Sequence, residues 1–136
     1  MSEEKKVEIP EQYWQLMNQH LEYDEEEAEL FRKNPQNAKV LAKAPAMRER
    51  TIVFEVVKSQ GCNSKHDVGT RFYFTGDGNL ISKWAPPRVC AYALPTMVQA
   101  IFAMQELWYA GHDPNELCFR RAGCFDVGVQ CGGWGN

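Results

Sequence analysis

The chain reads as a small α+β protein: a small antiparallel sheet packed on one main helix, preceded by an N-terminal helical arm. Three observations predict this class. Apolar residues recur at helical spacing in the first 34 residues and again over residues 94–109. β-branched and aromatic residues alternate over residues 51–58 and 70–75. Glycine and proline separate these segments, and the expected order after the arm is β-β-α-β-β. The arm is placed at residues 1–50 and the domain at residues 51–136.

In the arm, Pro10 suits a first helical turn and Glu11 lies near the positive end of the helix dipole. Trp14, Met17, Leu21, Ala28 and Phe31 form one apolar stripe, widened by Leu16 and Leu30, and Asn34-Pro35 stops it, which predicts one helix. Asp24, Glu25, Glu26, Glu27 and Glu29 are read as a solvated helix face, with a docking face for a basic partner as the alternative. His20, beside this run, is read as a surface residue. Residues 36–50 form a short helix or an arm broken by Pro45. With Trp14, Met17, Leu41 and Met47 as anchors, the arm either packs on the domain or drapes over another subunit.

The domain opens with the strand TIVFEVVK, followed by the loop Ser59–Val68 and a second strand, TRFYFT. Gly76-Asp77-Gly78-Asn79 is a turn, after which Leu80-Ile81 extends the sheet. Pro86-Pro87 breaks the chain. Leu94, Met97, Val98, Ile101, Phe102, Gln105 and Trp108 then define a helix that starts near Leu94, holds Pro95 in its first turn and stops at Gly111. Residues 116–121 and 125–130 are expected as short strands, and the tail CGGWGN as irregular. Trp84, Tyr92, Phe102, Trp108 and Tyr109 are expected to fill a core or an interface.

Charge limits the function classes. Residues 1–34 carry ten acids against four bases, a net −6, and residues 35–136 carry eight acids against eleven bases, a net +3. Arg48 with Arg50, and Arg120 with Arg121, are pairs rather than a patch, so no nucleic-acid partner is expected. The opening MSEEKKVEIPEQYW is charged and has no apolar h-region, and no apolar run is long enough to span a bilayer. The expectation is a cytoplasmic protein without a membrane partner, in a reducing compartment where cysteines stay free, catalytic or metal-bound.

All five cysteines, Cys62, Cys90, Cys118, Cys124 and Cys131, fall in the second half, and His66 follows Cys62 at C-x3-H spacing. Thiolate and imidazole in a tight loop between Gly61 and Gly69 are the ligand types zinc selects. Cys90 lies just before a helix N-terminus, which favours the thiolate and makes it a third ligand candidate. Cys124 sits at a glycine turn and is the expected fourth ligand, with Cys118 and Cys131 as alternates; Cys118, between Leu117 and Phe119, is also a core candidate. Buried inert cysteines are the competing interpretation. A Cys62 or Cys90 nucleophile with His66 or His112 as base has the right residue types but no third orienting group. No C-x2-C redox motif is present.

One ordered set of residues carries a family resemblance. Gly61-Cys62, His66-Asp67-Val68-Gly69, Phe72, Cys90-Ala-Tyr-Ala-Leu94-Pro95, Gly111 and Cys124-Phe-Asp126, spanning about residues 51–129, resemble small cysteine-containing domains of bacteria and archaea. Among these, the size and acidic arm are similar to the small zinc-containing β subunits of acetophenone carboxylases. The resemblance implies a non-catalytic structural or accessory subunit of an ATP-dependent ketone carboxylase, a hetro-oligomeric ligase. ATP and substrate would be held by large hydantoinase-like subunits, which the helical arm of residues 1–50 would bind, and a structural Zn2+ by this chain at Cys62, His66, Cys90 and Cys124. The alternative is a stand-alone metal- or thiol-dependent enzyme or redox module.

Overall fold

The computed structural model describes residues 7–135. The first six residues of the segment expected to lack a signal sequence, and Asn136 of the glycine-rich tail, lie outside the described residues. The chain divides into two compact units, Met1–Ala46 and Met47–Asn136.

The first unit carries α1 (Glu11–His20), α2 (Glu25–Lys33) and most of α3 (Pro35–Arg48). The expected single first helix is therefore two, and local hydrogen bonding explains the break. α1 ends with the Tyr23 N–H donating to the Asn18 carbonyl and the Glu22 N–H to the Gln19 carbonyl, a helix-stop motif that puts Glu22 at φ 56°. The next residue begins a capping box: Asp24 accepts from the Glu27 amide at 2.9 Å, and the Glu27 carboxylate accepts from the Asp24 amide at 3.0 Å. Two acids of the acidic run thus start α2, while the run as a whole stays exposed. Buried Trp14 anchors the unit, meeting Phe31 edge-on at 5.8 Å with the Arg32 guanidinium 5.4 Å from its ring centre. Arg32 also donates to Glu11 at 2.8 Å. Against expectation, α3 runs through Pro45. The proline lies in the last turn, where it forfeits one amide bond, and buried Leu41 and Met47 bracket it in sequence.

The second unit contains a two-stranded antiparallel sheet, β1 (Thr51–Glu55) and β2 (Arg71–Thr75), in which Ile52 faces Phe74 and Phe54 faces Phe72. Period-two alternation sends Ile52, Phe72 and Phe74 inward, against Met97 and Ile101 of α4 (Leu94–Tyr109). Glu55 and Arg71 pair across the outer face at 2.8 Å. The Gly76–Asn79 turn closes with the Thr75 amide on the Asn79 carbonyl at 2.8 Å, and Leu80 adds a single bridge to Phe74. α4 starts at Leu94 with Pro95 in its first turn. It stops at Gly111, whose N–H donates to the Trp108 carbonyl while that of His112 reaches Leu107.

Residues 116–121 and 125–130 are not strands. The region holds two short 3-10 turns, Pro114–Glu116 and Val129–Cys131, joined by irregular chain. The Gly128 amide, which a strand would commit to a neighbour, goes instead to the Asp126 carboxylate (2.9 Å), which also accepts from Trp134 (2.9 Å) and Gly135 (3.0 Å) in the tail. Those bonds hold its carboxyl below the usual carboxylate range, the Gly128 amide contributing most. Gly135 packs so tightly on the Gln60–Gly61 backbone that a Cβ there would lie 2.3 Å from the Gly61 carbonyl oxygen. No described helix is long and apolar enough to cross a membrane.

Among the glycines of the second unit, Gly76 has the closest approach to neighbouring backbone. A Cβ at this position would lie 1.9 Å from the Met47 carbonyl oxygen, while the Gly76 amide donates to the Arg50 carbonyl at 2.9 Å. The Gly76→Ala variant is expected to lose about 3 kcal/mol, because backbone rather than a flexible side chain must move. Urea denaturation measures this, and an unchanged midpoint would refute the tight approach.

Candidate functional site

Of the predicted site residues, His66, Cys90 and Cys124 lie on segments hydrogen-bonded to one another or to the start of α4. His66 is the only buried polar residue among those described, at 6% exposure, in the loop between β1 and β2. Its ring meets Phe72 edge-on at 5.0 Å, so the core side of β2 fixes the imidazole. Its Nε2 accepts from the Cys90 backbone N–H at 3.3 Å. This bond joins the 59–68 loop to the segment that leads into α4.

Cys90, half-buried, sits within a set of donors. The Ser64 hydroxyl is the strongest influence on its thiol; burial, which opposes it, comes second, and the Tyr92 and Ala93 amides follow, the net effect holding the thiol below the ordinary cysteine value. Sequence reasoning expected the helix N-terminus to act here. It did not identify Ser64, whose only signal was its place two residues from His66 in the same loop.

Of the four predicted ligands, hydrogen bonding brings His66 and Cys90 together. Cys62 is half-buried in the same loop, its carbonyl accepting from the Lys65 amide at 3.1 Å. Cys124 is half-buried, with its thiol 3.8 Å from the Asp126 carbonyl oxygen. Its segment is tied to the start of α4, because the Thr96 hydroxyl donates to the Gly123 carbonyl at 2.7 Å and the Phe125 amide to Tyr92 at 3.3 Å. Cys131 is exposed. Cys118 is exposed as well, which corrects its reading as a core residue: the chain around it is irregular and has no sheet to bury it. Among the described residues, no three His, Cys, Asp or Glu side chains stand close enough together to hold a metal ion.

The geometry narrows the nucleophile options. His66 presents Nε2 to the Cys90 backbone rather than to its sulfur. His112 lies beyond the opposite end of the 16-residue α4, about 24 Å along the axis, too far to serve Cys90 as a base. What the cluster can do is stabilise a thiolate at Cys90 through one hydroxyl and two amides. No protein-family model, curated protein or solved structure matches the chain.

Because the Cys90 thiol is shifted down, its thiolate persists to lower pH than that of an ordinary cysteine. Ser64→Ala should move the pH profile of Cys90 alkylation by iodoacetamide to higher pH and slow the reaction at neutral pH by a factor of about three to ten. Peptide mapping by mass spectrometry reads the rate at Cys90 alone; superimposable profiles would remove Ser64 from the site.

Proposed function

We propose that this chain is a non-catalytic accessory subunit that docks on a larger partner through the outer face of α4. The observation that carries this reading is the width of the apolar arc on that helix. Met97, Ile101 and Met104 face the sheet, yet Val98 and Phe102, one turn apart beside them, are 58% and 65% exposed. A surface helix ordinarily turns polar where its core contact ends, and a helix apolar well beyond that contact fits one covered by another element. Tyr92 and Phe125, stacked at 6.0 Å and both exposed, add aromatic surface at the same end of the helix. Trp84, Tyr92 and Phe102 thus do not fill the core, and their exposure favours the interface alternative.

The resemblance over residues 51–129 gives this partner a specific form: large hydantoinase-like subunits of an ATP-dependent ketone carboxylase, with catalysis and ATP on those chains. A structural Zn2+ at Cys62, His66, Cys90 and Cys124 belongs to the same proposal. It requires Cys62 and Cys124 to close in beside Cys90, and His66 to ligate through Nδ1 or to release the Cys90 amide. The setting of Cys90 favours a second reading, a thiol-dependent enzyme or redox module working alone, since a stabilised thiolate is also what such chemistry needs.

Native purification from the source cells separates the two. The accessory reading expects stoichiometric large chains of hydantoinase type and one equivalent of zinc. It also expects a Val98→Glu/Phe102→Glu variant to keep its circular dichroism while binding the partner at least about tenfold more weakly. A chain that purifies as a metal-free monomer, or a double variant that keeps its partner, would sink it.

A further inference from the structure

The second unit holds a half-open cavity of about 200 Å3 at the far end of α4, roughly 15 Å or more along the helix axis from Cys90. Met47, Ile52, Met104 and the indole of Trp108 supply its apolar wall. Arg50 also lines it, with its guanidinium 5.7 Å from the centre of the Trp108 ring. No acidic side chain is among its lining residues.

The cavity has a fixed frame. The Arg50 amide donates to the Met47 carbonyl at 2.9 Å, and the Arg50 carbonyl accepts from the Gly76 amide at 2.9 Å. The Gln105 side-chain amide donates to the Gly76 carbonyl at 3.0 Å, and the Tyr109 hydroxyl lies 3.6 Å from the Met47 sulfur. These bonds tie the end of α3, the turn after β2 and the last two turns of α4 to one another. The space among them therefore exists before any ligand arrives, which reduces the ordering cost of binding.

Size and chemistry select the occupant. An apolar cavity of about 150 Å3 takes a benzene ring, so this one has room for one ring and one small substituent. Two methionine thioethers and an indole form favourable contacts with an aromatic ring. The guanidinium matches a carboxylate and opposes a cation, and the open side leaves the charged end of the ligand in contact with water. We propose that this cavity binds a small aromatic monocarboxylate, with its ring against Trp108, Met47 and Met104 and its carboxylate on Arg50. The proposal is independent of the docking role of α4 and of the Cys90 cluster.

The test is titration calorimetry, with ligand-observed NMR, on the full chain with benzoate, benzyl alcohol and benzylamine. Benzoate is expected to bind with a Kd of about 1 mM or tighter, benzyl alcohol about tenfold more weakly, and benzylamine more weakly still. Arg50→Met alters an exposed side chain and leaves the backbone frame intact; it should bring benzoate down to the level of benzyl alcohol. Met104→Trp, which fills the cavity, should abolish binding of both. The proposal is overturned if benzoate fails to bind at about 20 mM, if benzylamine equals it, or if either variant retains the wild-type benzoate affinity.

Discussion

The second unit depends on the contact between its two-stranded sheet and α4. A hairpin of two five-residue strands has too little buried surface to persist alone in water. Ile52, Phe72 and Phe74 therefore need Met97 and Ile101, and the helix needs the sheet for the same reason. Each buried side chain of this kind contributes about 1.5–3 kcal/mol relative to exposure. Five of them form the cluster, so it carries much of the stability that the unit possesses. Every other feature hangs from it: the His66 loop by the edge contact with Phe72, and the Cys90 segment by the bond to His66.

This arrangement gives the unit two chemically distinct ends. At the start of α4, a hydroxyl and two amides converge on the Cys90 thiol, and irregular chain is tied down by Thr96 and Tyr92. At its other end, amides and carbonyls of Met47, Arg50, Gly76 and Gln105 lock three segments around an apolar space. The first end concentrates polar donors on sulfur; the second ties its backbone groups to one another and to Gln105, leaving hydrocarbon, indole and the Arg50 guanidinium along the cavity. One helix therefore supports a thiol environment and a ligand-sized cavity without either intruding on the other.

The exposed side of the same helix follows from the width of the sheet. A sheet of two strands is too narrow to cover the apolar arc of α4, and Val98 and Phe102 lie beyond it. A wider sheet would bury them within the chain. With only two strands, the sheet leaves them outside the hydrophobic cluster of the second unit.

Much of the architecture was legible in the sequence. Periods of two and 3.6 residues located β1, β2 and α4, and Pro95 and Gly111 marked the helix limits, because these signals act through neighbouring residues. The pairing of Asp24 with Glu27 was also local, but it was obscured by its place inside a longer acidic run that keeps helical spacing. The strands expected after residue 116 failed for a different reason. Short apolar runs form strands only where a neighbour offers hydrogen bonds, and here the Gly128 amide goes to the Asp126 carboxylate, which also holds the Trp134 and Gly135 amides of the tail. Composition and spacing thus determined which chemistries the chain has available, including the thiols, the imidazole and the clustered aromatics. Tertiary structure alone decided that Ser64 acts on Cys90, that Gly76 passes beneath Met47, and that Arg50 meets Trp108. Each is an encounter between residues far apart in the chain, and such encounters are set by packing in three dimensions rather than by any local period.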